Sequence, residues 1–334
     1  MKRVTIREVA KEAGVSITLV SFVMNAKRRE DGSLDCPVNK DTAARVLEAA
    51  RRLGYKRNAA AASLRSGRTN TIAVITTDIS NKFFAGVSRC IEDAAYRNGY
   101  TVLFASSDEK ADKLGALLDT LISHSIDGAI VAPVAGGEAC VQAALDSNLP
   151  IVLLDRDIKE LKGVGKVLLN DIEAGRMAAE YLFNKGYRKI EMLSYDLGIS
   201  SLKEREGGYA QFMASNGLGG NMKIHYTTYE GLDNDIDSIV ADMKARGTEA
   251  LFLPTYSLSA ATMMSLIRFG MKVPDDLAIV GFDDSNIYNV YQTSIPHIVQ
   301  PLKDLGERSV DILLDMINGK KEQTMILNPI MIEE

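Results

Sequence analysis

Thr5-Ile6-Arg7-Glu8-Val9-Ala10-Lys11-Glu12-Ala13-Gly14-Val15-Ser16 carries apolar residues at Ile6, Val9, Ala10 and Ala13, the i, i+3, i+4, i+7 spacing of one short amphipathic helix. Thr5 and Glu8 stand as a capping box, Gly14 ends the helix and Ser16 is placed to cap a second one. Only a three-residue turn then separates two helices, which is helix-turn-helix spacing. In the second helix Val20, Val23 and Met24 fall on one side, while Thr18, Phe22 and Asn25 fall on the other and face a groove. A third helix is expected after Asp41, with Ala43, Val46, Leu47, Ala50 and Leu53 turned inward and Gly54 as its stop. Ala26 to Pro37 reads as a polar loop around an Asp31-Gly32 turn signal. Its Lys27, Arg28 and Arg29 either face solvent or reach phosphates.

Charge divides the chain at the same place. Up to Asn70 there are fifteen Lys and Arg against seven Asp and Glu, whereas the remainder has twenty-four against thirty-seven. Clustered cations hold nucleic-acid phosphates, so a basic head on an acidic body suggests a DNA-binding module joined to something else. A length of 334 residues is enough for two or three compact units, and 46% hydrophobic with 25% charged residues is an ordinary globular composition. No apolar run approaches the ~20 residues of a membrane helix, and Met1 to Thr5 lacks a signal-peptide core, so a cytoplasmic protein without a membrane partner is expected. Cys36, Cys90 and Cys140 form neither a CxxC pair nor an even set and read as structural thiols in a reducing compartment. GxSxG, HExxH, GxxxxGK[ST] and a complete GxGxxG are all missing, and His124, His225 and His297 lack metal-ligand spacing. An enzyme is therefore not expected, nor a cofactor or metal.

From Ile72 onward short apolar runs alternate with helical stretches: Ile72 to Thr76, Thr101 to Ser106, Gly128 to Ala132, Ile151 to Leu154, then Ile190 to Ser194, Ala250 to Leu253 and Leu277 to Gly281. Such alternation gives doubly wound parallel sheets, and the two groups imply two α/β lobes. Between head and body, Asn58 to Leu64 is alanine-rich and helix-forming, yet too short to be stable alone, since isolated helices below ~12 residues are marginal.

Val4 to Asn25, Arg45-Val46-Leu47-Glu48-Ala49-Ala50, Leu53-Gly54-Tyr55-Lys56-Arg57-Asn58-Ala59 and Gly67-Arg68-Thr69-Asn70-Thr71-Ile72 resemble the head and hinge of the LacI/GalR family of bacterial transcription regulators. The likeness continues to about residue 320. It implies a helix-turn-helix head over 1–57, a hinge helix and linker over 58–70, and a periplasmic-binding-protein-like body over 71–334 that binds an effector and dimerises. Lobe 1 would span about 71–168 and 299–325, lobe 2 about 169–298 and 326–334, with crossovers near Val167 to Asp171 and Ile298 to Pro301. DNA contacts are implied for Thr5, Ser16, Ile17, Thr18, Ser21, Phe22 and Asn25, and in the hinge for Arg57, Asn58, Ala61 and Leu64. Leu64 would wedge between base steps in the minor groove while Ala61 allows close approach. The family usually has Arg at the position of Phe22 and Thr at that of Leu19. A phenyl ring touches a thymine methyl but cannot pair with guanine.

In the body, Asp78-Ile79-Ser80-Asn81-Lys82-Phe83-Phe84 resembles the family's DxxNPFF segment, which implies effector contacts for Asn81, Phe83 and Phe84. The same resemblance assigns the effector to Arg205 and Asp283, with a further polar contact at Asp155. Thr255-Tyr256 stands where relatives often carry Asn-Asp, with Tyr256 narrowing the cleft or stacking on the ligand. The plainer alternatives are a core role for the two phenylalanines, a surface Glu partner for Arg205 and a helix cap for Asp283. The function so implied is a sequence-specific repressor acting as a homodimer on a near-palindromic operator, controlled by a small polar metabolite such as a sugar or sugar derivative. Lys320 to Glu334 show no leucine heptad, so no tetramerising coiled coil is expected. Control by a protein partner and a cytoplasmic sugar-binding protein are the rival readings.

Overall fold

The computed structural model describes residues 4–28, 34–55, 67–284, 286–290 and 293–333. The chain divides into two compact units, Met1–Thr69 and Asn70–Glu334. In the first, α1 (Ile6–Ala13), α2 (Ile17–Asn25) and α3 (Lys40–Leu53) enclose Val9, Val20, Val23, Val46 and Ala50. Each helix starts on a side-chain cap, which satisfies amide N–H groups that have no intrahelical acceptor. The α1 box is reciprocal: the Thr5 N–H donates to Glu8 Oε2 at 2.6 Å, and the Glu8 N–H donates to Thr5 Oγ1 at 3.4 Å. Asn39 caps α3 through the Thr42 N–H at 2.8 Å. Gly14 and Gly54 close α1 and α3 in the left-handed conformation, φ 63° and 65°.

Two expectations for the head need correction. Leu47 is 38% exposed, and Ala49 takes its place in the α3 core. On the helix Leu47 flanks the Ala43 edge of the Ala43, Val46 and Ala50 stripe and Ala49 the Val46 edge, and the core of the head meets α3 from the Val46 side. The segment read as a loop begins and ends in a two-stranded antiparallel ribbon, β1 (Lys27–Arg28) paired with β2 (Leu34–Asp35).

The second unit runs β3 (Thr71–Thr76), α4 (Lys82–Arg97), β4 (Thr101–Ser106), α5 (Ala111–Ser123), β5 (Gly128–Val131), α6 (Glu138–Asp146), β6 (Ile151–Leu154) and β7 (Gly165–Leu169). It continues with α7 (Asp171–Asn184), β8 (Ile190–Tyr195), α8 (Ser200–Ser215), β9 (Lys223–Thr227), α9 (Leu232–Arg246), β10 (Ala250–Phe252), α10 (Tyr256–Arg268), β11 (Ala278–Phe282) and β12 (His297–Val299). Last come α11 (Leu302–Ile317), β13 (Thr324–Leu327) and β14 (Ile330–Ile332). The strands form two six-stranded sheets with matching order, β4-β3-β5-β6-β7-β13 and β9-β8-β10-β11-β12-β14. The first is wholly parallel, and the second ends in the antiparallel pair β12 and β14. Helices cover both faces of each sheet, so β3, β5, β6, β8, β10 and β11 are buried almost throughout, as near-continuous apolar runs that only β8 interrupts, with buried Glu191 and Ser194.

The chain passes between the sheets after Leu169, after Val299 and after Leu327, each a little later than the expected 168, 298 and 325. At the first passage α7 packs on α8 with the backbones in contact. A Cβ added to Gly175 would strike the Arg205 carbonyl, and one added to Gly208 would strike that of Ile172. Only glycine permits this approach.

Candidate functional site

Helix α2 presents two exposed apolar side chains, Ile17 at 45% and Phe22 at 46%, together with exposed Thr18. Its cap Ser16 accepts the Leu19 N–H at 3.2 Å, and Asn25 Nδ2 donates to Ser21 Oγ at 3.1 Å. No residue from Ile17 to Asn25 is charged. The cations of the head lie elsewhere, with Arg7, Lys11 and Arg45 exposed on α1 and α3. Arg52 of α3 pairs with Glu12 of α1. Arg57, Asn58, Ala61 and Leu64 lie outside the described residues.

The body gathers its charged groups where the two lobes meet at the carboxyl ends of their strands. Asp155 follows β6 and Asp283 follows β11, the fourth strand of each lobe, and both hold left-handed backbone at φ 68° and 63°. Each amide is tied to the neighbouring strand, Asp155 N–H to the Val167 carbonyl at 3.1 Å and Asp283 N–H to that of Ile298 at 2.7 Å. Aspartate tolerates this region better than most residues, though at some strain. Between them lies Arg205 of α8, only 4% exposed. Its Nε donates to Asp171 Oδ1 at 2.7 Å and its Nη1 to the Pro254 carbonyl at 2.7 Å, while the guanidinium stacks 3.9 Å from the Phe282 ring centre. Asp171 opens α7, so the close helix pair fixes both partners.

Three carboxylates share this one guanidinium, and burial decides their protonation. Burial pushes the Asp171 carboxyl up to about 7 and that of Asp283 up to about 6, with Arg205 opposing in both cases. Asp155 is raised for the same reason. Burial works against the Arg205 charge, but Asp171, Asp155 and Asp283 outweigh it. The other arginine, Arg156, is already matched by a two-pronged pair to Glu109, both bonds 2.8 Å. Among the described residues Asp155 therefore has cations only at 3.7 Å, from Arg156, and 3.9 Å, from Arg205. Asp283 accepts from Gln300 Nε2 at 2.9 Å, and the buried Gln300 Oε1 has no partner among the described residues. Among the described residues, unpartnered atoms of both kinds therefore border the cluster, the Gln300 Oε1 acceptor and the Arg156 Nε donor.

Sequence reasoning named Asp155, Arg205 and Asp283 here, and the fold brings them together. It missed Asp171 and Gln300, whose only local signals are those of a helix start and an inter-lobe crossing. Tyr256 contributes its backbone N–H to Asp283, while its ring lines a groove between α9 and α10. Asn81 caps α4 through the Phe83 N–H at 2.9 Å, and Phe83 and Phe84 pack into the core of lobe 1 with ring centres 5.0 Å apart. Above the cluster the lobes touch directly. Tyr229 Oη donates to Asp78 Oδ2 at 2.9 Å, the Asp157 N–H donates to Ser200 Oγ at 2.7 Å, and Lys159 lies 3.4 Å from Glu204. Among the described residues no cluster of His, Cys, Asp and Glu suits a metal, and no helix is long and apolar enough to cross a membrane.

Comparison with known proteins agrees with both halves. Residues 5–58 match the bacterial regulatory proteins, lacI family, and residues 72–321 match a periplasmic binding protein domain. Catabolite control protein A of Priestia megaterium is 30% identical over 97% of this chain and 96% of its own length. The HTH-type transcriptional repressor PurR of Vibrio campbellii (strain ATCC BAA-1116) is also 30% identical, over 96% of this chain and 94% of its own. The solved Lac repressor bound to ONPG in the repressed state superposes with a TM-score of 0.84 at 22% identity, covering 99% of both chains, a likeness of fold.

Proposed function

The chain belongs to the lacI family of bacterial regulatory proteins and is a DNA-binding transcriptional regulator, and from that premise we propose that it is a repressor whose operator affinity is set by a small polar molecule held between the lobes. The observation that carries the second half is the interlobe cluster of Asp155, Asp171, Arg205, Asp283 and Gln300, buried, with the Gln300 Oε1 acceptor and the adjacent Arg156 Nε donor both unpartnered among the described residues. Buried polar atoms without partners are costly, so a ligand rich in hydroxyls, which both donate and accept, is favoured, such as a sugar or sugar derivative. Such a ligand touches both lobes and the crossings between them, and by binding one lobe arrangement better it shifts the population toward it.

Thermal-shift screening against a metabolite panel, followed by operator titration with each hit, tests this reading. Coupling of about 1–3 kcal/mol, or 5- to 150-fold in operator affinity, is the expected range. Loss of the shift in Asp283→Ala would place the ligand at the cluster. Hits that leave operator affinity unchanged would sink the reading and favour control by a protein partner.

The protein acts in the cytoplasm as a homodimer on a near-palindromic site, without catalytic activity. Support for the dimer comes from β4, an edge strand exposing Leu103 and Phe104 beside a groove of about 610 Å³ lined by Ile79, Tyr96 and Val102. Such an edge calls for cover. Two copies would bring two Leu64 side chains to the centre of the operator, so Leu64→Ala should weaken specific binding and spare salt-sensitive non-specific binding. Sedimentation as a monomer would end the dimer reading.

A further inference from the structure

We propose that this protein reads its operator half-site through the 5-methyl groups of thymine, with Ile17 and Phe22 as the specificity-determining side chains, and not through guanine. The proposal rests on the DNA-binding reading and names the base chemistry that its reading helix accepts. In the major groove guanine offers two acceptors, best met by Arg or Lys, and adenine an acceptor and a donor, best met by Asn or Gln. Cytosine offers a donor, best met by Asp or Glu, whereas thymine alone adds a methyl group. Helix α2 holds no Arg, Lys, Asp, Glu or Gln, and the amide of its one Asn, Asn25, donates to Ser21. Its largest exposed groups are the Ile17 and Phe22 side chains, each nearly half accessible and neither part of the head's core cluster. Phosphate attraction falls to cations on the flanking helices, Arg7, Lys11 and Arg45, which position the helix without reading sequence. An apolar side chain buried against a methyl gains from the area removed from water, and gains nothing from an unmethylated guanine edge.

The test uses the full-length protein. Binding sites are selected from random duplex DNA, and in the preferred site each thymine is then replaced by deoxyuridine, which deletes the methyl and keeps every hydrogen bond. Affinity should fall about four-fold for each contacted thymine, the worth of one buried methyl, and about fifteen-fold when both half-sites are changed. Phe22→Ala and Ile17→Ala should each abolish the uracil penalty at one position while the head's melting temperature holds. Phe22→Leu should keep part of it. A uracil scan without effect, in a site sensitive to 7-deazaguanine, would overturn the proposal and leave DNA reading intact. Phe22→Ala that lowers the melting temperature yet keeps the full uracil penalty would assign Phe22 to packing and also overturn it. Failure to select any preferred site would remove the DNA-reading premise itself.

Discussion

Helix α2 of the head leaves Ile17 and Phe22 in solvent and carries no charge, whereas the body buries Asp155, Asp171, Arg205 and Asp283 within reach of one another. The two regions invert the usual rule that apolar groups go inside and charges outside. Departures of this kind mark surfaces that await a partner, because neither arrangement is at its lowest free energy alone. They differ in what holds them. The side chains of the reading face contribute little to the head's core, so this face can change without unfolding the protein. The cluster is tied to strand ends, a helix pair and the lobe crossings, so its chemistry and the body's stability are one quantity.

The largest expected effect breaks the buried side of this contrast. Arg205→Ala leaves Asp171 without its cation and should destabilise the body by about 3–5 kcal/mol, read by urea unfolding. A loss below about 1 kcal/mol would mean that the carboxyls are neutral and need no cation. Next comes pH. Asp171 and Asp283 titrate near 7 and 6 in the fold, against 3.8 ordinarily, so the folded chain holds their protons more tightly than the unfolded one. Stability from these groups is therefore fully present below about pH 4 and is lost as pH rises through about 6 to 7. Melts of the body should drop by several degrees between about pH 5 and 7.5, and Asp171→Asn should flatten the slope. A slope unchanged in that variant would assign the titration elsewhere.

Smaller effects sharpen the exposed side. Thr5→Ala removes one half of the α1 capping box and should cost the head about 1 kcal/mol, measured as a shift in its melting transition. Phe22→Ala should change stability by no more than about 0.5 kcal/mol while altering operator choice. If the two variants were equally destabilising, Phe22 would belong to the head's structure and the contrast would collapse.

Most of the fold was legible because its signals are local. The runs at Ile72, Gly128, Ile151, Ile190 and Ala250 are buried on both sheet faces, and no other element type suits such short apolar stretches so bounded. Strand β9, Lys-Ile-His-Tyr-Thr, escaped notice because an edge strand needs no continuous apolar run, and β7 passed for a simple crossover. Leu47 was misassigned because helical spacing fixes a stripe only to within one residue on either side. For the candidate site, Asp155, Arg205 and Asp283 could be named from their motifs. Asp171 could not, since the contact that gives it meaning spans 34 positions and depends on how α7 meets α8.

That meeting has a consequence for anyone wishing to give the protein a new effector under the proposed reading. Gly175 and Gly208 press the two helix backbones together directly beside the Asp171 and Arg205 pair, leaving no room for either side chain to be re-aimed by substitutions behind it. Substitutions at Gly175 or Gly208 should return unfolded clones. Altered response should instead come from the turn after β10, where Tyr256 sits on ordinary helical backbone that accepts other side chains, so the helix pair sets the practical limit on how the sensor can be retrained.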